Sequence, residues 1–159
     1  MKPVVFLDID GVLNDHTAHP KNKYCTIDKA MAERFNGLLE ATDAEFVVSS
    51  AWRYLVLSGS MTLEGFRNLL YSHWVDASRL VGVTRADVSS DRTDRGRQII
   101  EWLGGLRGRP HLVIDDMDLG VTACHLNLFR TDGKVGLTDG DAELAIAAVK
   151  AALRRAAQG

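Results

Sequence analysis

Asp8 and Asp10 stand two residues apart, directly after the apolar run Val4-Val5-Phe6-Leu7 and just before Gly11. Two carboxylates so placed can share a group-transfer reaction. One attacks phosphorus and forms a covalent intermediate, and the other exchanges protons. If the strand continues through them, the two-residue separation turns both side chains to the same side. Gly11 then lets the backbone turn sharply and come close to a ligand. Two further apolar runs end in polar residues: Phe46-Val47-Val48 leads into Ser49-Ser50, and Leu112-Val113-Ile114 leads into Asp115-Asp116-Met117-Asp118.

These clusters can act together only if the fold gathers them. The three runs are continuous and rich in β-formers, which predicts strands buried on both faces, as in a parallel sheet. Helical patterns lie between and after them. One starts at Thr26-Ile27-Asp28 and carries Met31, Phe35, Leu38 and Leu39; a second covers Thr62 to Trp74. A third is capped by Asp94, carries Ile99, Ile100 and Leu103, and ends at Gly104-Gly105. The last, Asp141 to Ala156, is Ala-rich, with Arg154 and Arg155 in its final turns, where cations suit the helix dipole. Leu80 to Val83 is a weaker strand and Leu126 to Phe129 a short final one. Alternating strands and helices predict an α/β, Rossmann-like fold, a mainly parallel sheet flanked by helices. In such a sheet the carboxyl ends of the strands share one edge, and ligands bind outside it.

Four carboxylates on that edge repel one another, and a divalent cation resolves the conflict. Oxygen donors without a nearby His or Cys favour a hard ion, and Mg2+ suits a phosphate substrate. A calcium helix-loop-helix reading of Asp8-Ile9-Asp10-Gly11 fails, because the closing Glu is missing and a strand precedes it.

The bulk properties narrow the setting. At 159 residues the expectation is one domain over 1–159. With 46% hydrophobic and 25% charged residues, disorder is not the default. A net charge of -2 and a pI of about 6.2 give no general attraction to nucleic acid. Cys25 and Cys124 lack CxxC spacing and read as thiols of a reducing compartment. The apolar run Val4 to Leu7 is too short for a signal core or a membrane span, so a cytoplasmic protein with no membrane contact is expected.

With its partners in order, the Asp8-Ile9-Asp10-Gly11-Val12 stretch resembles the first motif of the haloacid dehalogenase-like (HAD) phosphohydrolase superfamily. The resemblance implies that Asp8 is the nucleophile and a metal ligand. It makes Asp10 the general acid, then the base, with its backbone carbonyl on the metal. Ser49, with Ser50 as the alternative register, matches the second motif, which hydrogen-bonds the phosphoryl group. Arg95-Gly96-Arg97-Gln98-Ile99 resembles the helix start that carries the basic third motif. Arg95 stands in place of Lys, with Arg97 as its rival and Arg92 a weaker one. An Arg can clamp phosphate bidentately, so the replacement is chemically sound. Asp115-Asp116 matches the acidic fourth motif, either residue being the direct ligand.

A narrower likeness is carried by Ser49-Ser50-Ala51-Trp52-Arg53, Ile100-Glu101-Trp102-Leu103, Ile114-Asp115-Asp116 and Gly136-Leu137-Thr138. These look like the small HAD subgroup associated with nucleic-acid (RNA) repair proteins. The likeness implies a nucleotide or phosphorylated polynucleotide end as substrate, with Arg53 as a substrate or phosphate contact. Trp52 and Trp102 read as core residues. Neither Asn14 to Thr26 nor Tyr54 to Asp94 has room for a cap domain, so an open, capless or minimally capped site is expected. His16, His19, Lys21 and Lys23 lie in the short flap after the first motif, as possible contacts to substrate phosphates. The competing readings are a phosphatase of small metabolites or phosphoproteins and a catalytically silent interaction domain.

Overall fold

The chain runs into its sheet within four residues, because Val4 to Leu7 can be buried on both faces. In the computed structural model, which describes residues 1–15, 26–85, 94–104 and 108–158, these residues form β1 (Val4–Leu7), fully buried. Strands β2 (Glu45–Val48), β3 (Leu80–Val83), β4 (His111–Asp115) and β5 (Leu128–Arg130) join it. All strand pairs are parallel, in the order β3-β2-β1-β4-β5. Five α-helices flank the sheet: α1 (Lys29–Thr42), α2 (Tyr54–Leu57), α3 (Leu63–Ser72), α4 (Arg95–Leu103) and α5 (Asp139–Gln158). The expected α/β, Rossmann-like architecture is the one observed.

Period-two alternation divides the core between the two faces of the sheet. Val5, Leu7, Phe46, Val48, Leu112 and Ile114 pack with Phe35 and Leu38 of α1, Phe66 and Leu70 of α3, and Ala145 and Val149 of α5. Val4, Phe6, Val47 and Val113 pack with Ile99 and Leu103 of α4. Trp52 is buried, and Trp102 is half-buried with its ring edge-on to Phe6 at 5.4 Å, so both serve the core.

Local caps explain the element ends. The side chains of Asp28, Thr62 and Asp94 accept from Met31, Gly65 and Arg97 backbone N–H groups. The last helix begins at Asp139, two residues before the expected start. Thr138 caps it, its Oγ accepting from the Asp141 N–H while the Asp141 carboxylate accepts from the Thr138 N–H. The second helical pattern stops at Ser72, short of the expected Trp74, which has a positive φ of 63°. The final strand begins at Leu128, not Leu126. His125 is left-handed and Leu126 N–H bonds back to the Val121 carbonyl at 3.3 Å, so the chain is not yet extended. Helix α2 and the preceding 3-10 turn, Ala51–Arg53, were not anticipated.

Between β2 and α4 the described residues supply α2, α3 and β3, and none of them builds a separate cap. Among the described residues no helix is long and apolar enough to cross a membrane.

Helix α4 is placed by a close approach that only glycine permits. A Cβ on Gly96 would lie 2.7 Å from the Gly120 carbonyl carbon and 2.9 Å from Cys124 Sγ. Gly120 is backbone and cannot swing aside. Gly96→Ala is therefore expected to destabilise the fold by roughly 1–3 kcal/mol, read as a lowered midpoint in urea unfolding. An unchanged midpoint would contradict this packing.

Candidate active site

The sheet order reverses at β1. The chain builds β2 and β3 to one side, then crosses to β4 and β5 on the other, and the crevice at such a switch point is where open α/β sheets bind ligands. Register puts three polar residues level there. Leu7 lies opposite both Val48 and Ile114, so the next residues, Asp8, Ser49 and Asp115, emerge side by side. Asp8 N–H bonds to the Ile114 carbonyl and Ser49 N–H to the Leu7 carbonyl, both at 2.9 Å.

Asp8, Asp115 and Asp116 each offer a carboxylate oxygen, and these oxygens lie within 4.8 Å of one another. Asp8 and Asp115 are buried. Burial holds the Asp8 carboxyl well above the usual carboxylate range; the Arg95 charge opposes this, while Asp115, Asp116 and Asp10 add to it. Burial likewise raises Asp115, against the pull of Arg95 and of a hydrogen bond from the Met117 N–H. An all-oxygen trio of this kind fits a hard divalent cation. Asp118, the remaining acid of that loop, instead accepts from the Thr122 N–H at 2.8 Å and caps the turn that follows.

Arg95 is the cation already present. Its Nη1 lies 3.0 Å from Asp8 Oδ1 and also bonds Asp115 Oδ2. Burial works to lower the Arg95 pKa, but the two carboxylates outweigh it. Arg97 is not brought in: its side chain is 83% exposed, and its Nε pairs with Asp94 at 3.0 Å. Arg92 and the flap residues His16, His19, Lys21 and Lys23 lie outside the described residues, as does Cys25.

The two serines differ in their surroundings. Ser50 Oγ accepts from the Trp52 N–H at 3.1 Å and caps the 3-10 turn, so its hydroxyl is engaged locally. Ser49 Oγ is fully buried and has no hydrogen-bond partner. Arg53 is buried as well. It donates from Nη1 to the carbonyls of Ser49 at 2.6 Å and Ser50 at 2.9 Å, and from Nη2 to Gln98 Oε1 at 3.0 Å. Burial lowers its pKa, and Tyr54, Arg95 and Asp8 also act on it.

Asp10 departs from the simple strand picture. The strand ends at Leu7, and the chain turns so that Leu13 N–H reaches the Ile9 carbonyl at 2.8 Å. Ile9 goes into the core, and the Asp10 carboxylate is not part of the oxygen trio. It is held instead by Asn14 Nδ2 at 2.9 Å, while Asn14 Oδ1 accepts from the Gly11 N–H at 2.9 Å. Gly11 has φ 85°, and a Cβ there would sit 2.6 Å from Asp116 Cγ, so a glycine is required for Asp116 to approach. Thr131 Oγ1 steadies this turn by donating to the Gly11 carbonyl at 2.9 Å. Asn14, Gln98 and Thr131 were not identified from sequence. A four-residue spacing from Asp10 was the one available sign for Asn14, and none marked the other two.

The raised carboxyls predict a linked response to pH and cation. Without a divalent ion Asp8 and Asp115 hold their protons more tightly in the folded state than in the unfolded one, so their contribution to stability falls as pH rises from their ordinary value of 3.8. A cation replaces those protons. Mg2+ is therefore expected to raise the melting temperature, relative to EDTA, more at about pH 7.5 than at about pH 5. An equal response at both values would contradict a shared carboxylate site.

No match was found among curated proteins or among solved structures. A family model described as the HAD domain in Swiss Army Knife RNA repair proteins matches residues 4–142. That span contains every side chain of the site described above, and the chain belongs to this family of HAD domains.

Proposed function

We propose that this chain is a Mg2+-dependent phosphomonoester hydrolase working through an aspartyl-phosphate at Asp8, with a nucleotide or phosphorylated nucleic-acid end as its favoured substrate. The observation that carries the reading is the Asp8-Asp115-Asp116 oxygen trio at the switch point, with Arg95 bridging Asp8 and Asp115 and the unpaired hydroxyl of Ser49 beside them. HAD family membership supports the phosphatase chemistry, and the family's description supports the nucleic-acid substrate.

Asp8, Asp115 and Asp116, together with the Asp10 backbone carbonyl that the family resemblance adds, would hold the ion. Bound there, Mg2+ supplies charge neutralisation for a phosphate dianion and an anchor for its oxygens. The chain does the rest. An Asp8 carboxylate oxygen attacks phosphorus as the bond to the leaving oxygen breaks, and Asp10 gives that oxygen its proton. Asp10 then takes a proton from water, the water oxygen attacks phosphorus, and the Asp8–phosphorus linkage breaks to release phosphate. Ser49 Oγ donates to a phosphoryl oxygen, and Arg95 balances charge as it builds on the transferring group. Asn14 aims the Asp10 carboxylate from the far side of the turn. Ser50 supports the loop as a cap, and Arg97 has no part in the chemistry. The two cysteines, without CxxC spacing, favour a reducing, cytoplasmic setting.

Asp8→Asn is expected to remove turnover of an aryl phosphate by at least about four orders of magnitude, while circular dichroism still reports the folded state. Full activity in that variant would sink the assignment. Among substrates, release of phosphate from 3'- or 5'-phosphorylated oligonucleotides is expected to exceed release from sugar phosphates. The reverse order would favour a metabolite phosphatase.

A further inference from the structure

Arg53 is a buried cation without a carboxylate partner. It is 3% exposed, and among the described residues no acid lies within ion-pair distance of it. Its three observed hydrogen bonds all go to neutral oxygens: two backbone carbonyls of the Ser49-Ser50 turn and Gln98 Oε1. The Tyr54 ring, 4.9 Å from the guanidinium carbon, and the charge of Asp8 offset part of the cost of burying this cation, but no carboxylate pairs with it directly.

Gln98 makes that arrangement possible. A guanidinium can only donate, so the Gln98 amide must present its oxygen to Arg53, and its NH2 is thereby turned elsewhere. That Nε2 is buried and has no partner. The same is true of Arg53 Nε, Arg95 Nε and Ser49 Oγ. Four side chains on the Ser49 turn and the first turns of α4 thus hold unused buried hydrogen-bonding capacity, three of them as N–H groups that can only donate. Arg95 and Gln98 are three apart on α4 and so lie on one face, one reaching Asp8 and Asp115, the other reaching Arg53.

We propose that Gln98 is a positioning residue that holds Arg53, without a carboxylate partner, as a second cation of the site, and that its own Nε2 adds to a set of donors for phosphate oxygens. The inference rests on the phosphatase reading and deepens it. It makes the neutrality of residue 98 the important property. A carboxylate there would accept the same Arg53 hydrogen bond yet cancel the charge, and it would remove the spare N–H.

The test compares Gln98→Glu with Gln98→Met, which resembles Gln in size but carries no acceptor. Binding of inorganic phosphate is measured by calorimetry with Mg2+ present, and kcat and KM are measured for an aryl phosphate. Gln98→Glu is expected to weaken phosphate binding by about tenfold or more and to raise KM in parallel, with kcat changed less. Gln98→Met is expected to weaken phosphate binding by about three- to tenfold, because Arg53 loses its support. Melting temperature reports the fold of each variant, and if Gln98→Glu does not fold, Gln98→Met decides. Phosphate affinity and KM unchanged in a folded variant would overturn the proposal, as would failure of the unaltered protein to bind phosphate. A protein that binds phosphate in this Gln98-dependent way yet hydrolyses no phosphomonoester would overturn the phosphatase reading and leave this one standing.

Discussion

The structure turns on the contact between one guanidinium and two buried carboxylates: Arg95 with Asp8 and Asp115. Three acids at one sheet edge would drive each other apart or take up protons, since burial penalises every ionised form. Arg95 offsets part of that penalty from within the chain. It does not offset all of it, because Asp8 and Asp115 remain raised despite the contact, and Asp116 adds a third negative group. The remaining imbalance is what a divalent ion would relieve, and the proposed phosphatase chemistry draws on it.

Much of the fold follows from delivering Arg95 to that point. It sits in the first turn of α4, and α4 can approach only because residue 96 is glycine and the Gly120 backbone fits against it. The acids arrive by register: Leu7 opposite Val48 and Ile114 puts Asp8, Ser49 and Asp115 in one row without any long loop. Gly11 serves the same end from above, its missing Cβ leaving room for Asp116.

Most of this was legible in the sequence because it is written in local signals. Short apolar runs ending in Asp or Ser marked the strands and the candidate site together, and the caps at Asp28, Thr62 and Asp94 located helix starts. What was not legible depends on partners distant along the chain. Ser49 and Ser50 are equivalent in sequence, and only the cap contact with Trp52 tells them apart. Arg95 and Arg97 are likewise similar until helical phase sends one inward and the other to solvent. The turn after Leu7 defeated the two-residue rule, because Ile9 belongs in the core and Asp10 follows Asn14 instead of Asp8. Gln98 carried no signal, since its meaning comes from Arg53, forty-five residues earlier.

The central claim is that Asp8 accepts the phosphoryl group. The most direct measurement is a rapid acid quench of the protein during turnover of an aryl phosphate with Mg2+, followed by peptide mass spectrometry. A phosphoryl group on the peptide containing Asp8, at the Asp8 carboxylate and chased away by longer incubation, is the predicted result. Turnover with no phosphorylated Asp8 at any quench time, or with the phosphoryl group on another residue, would contradict the account.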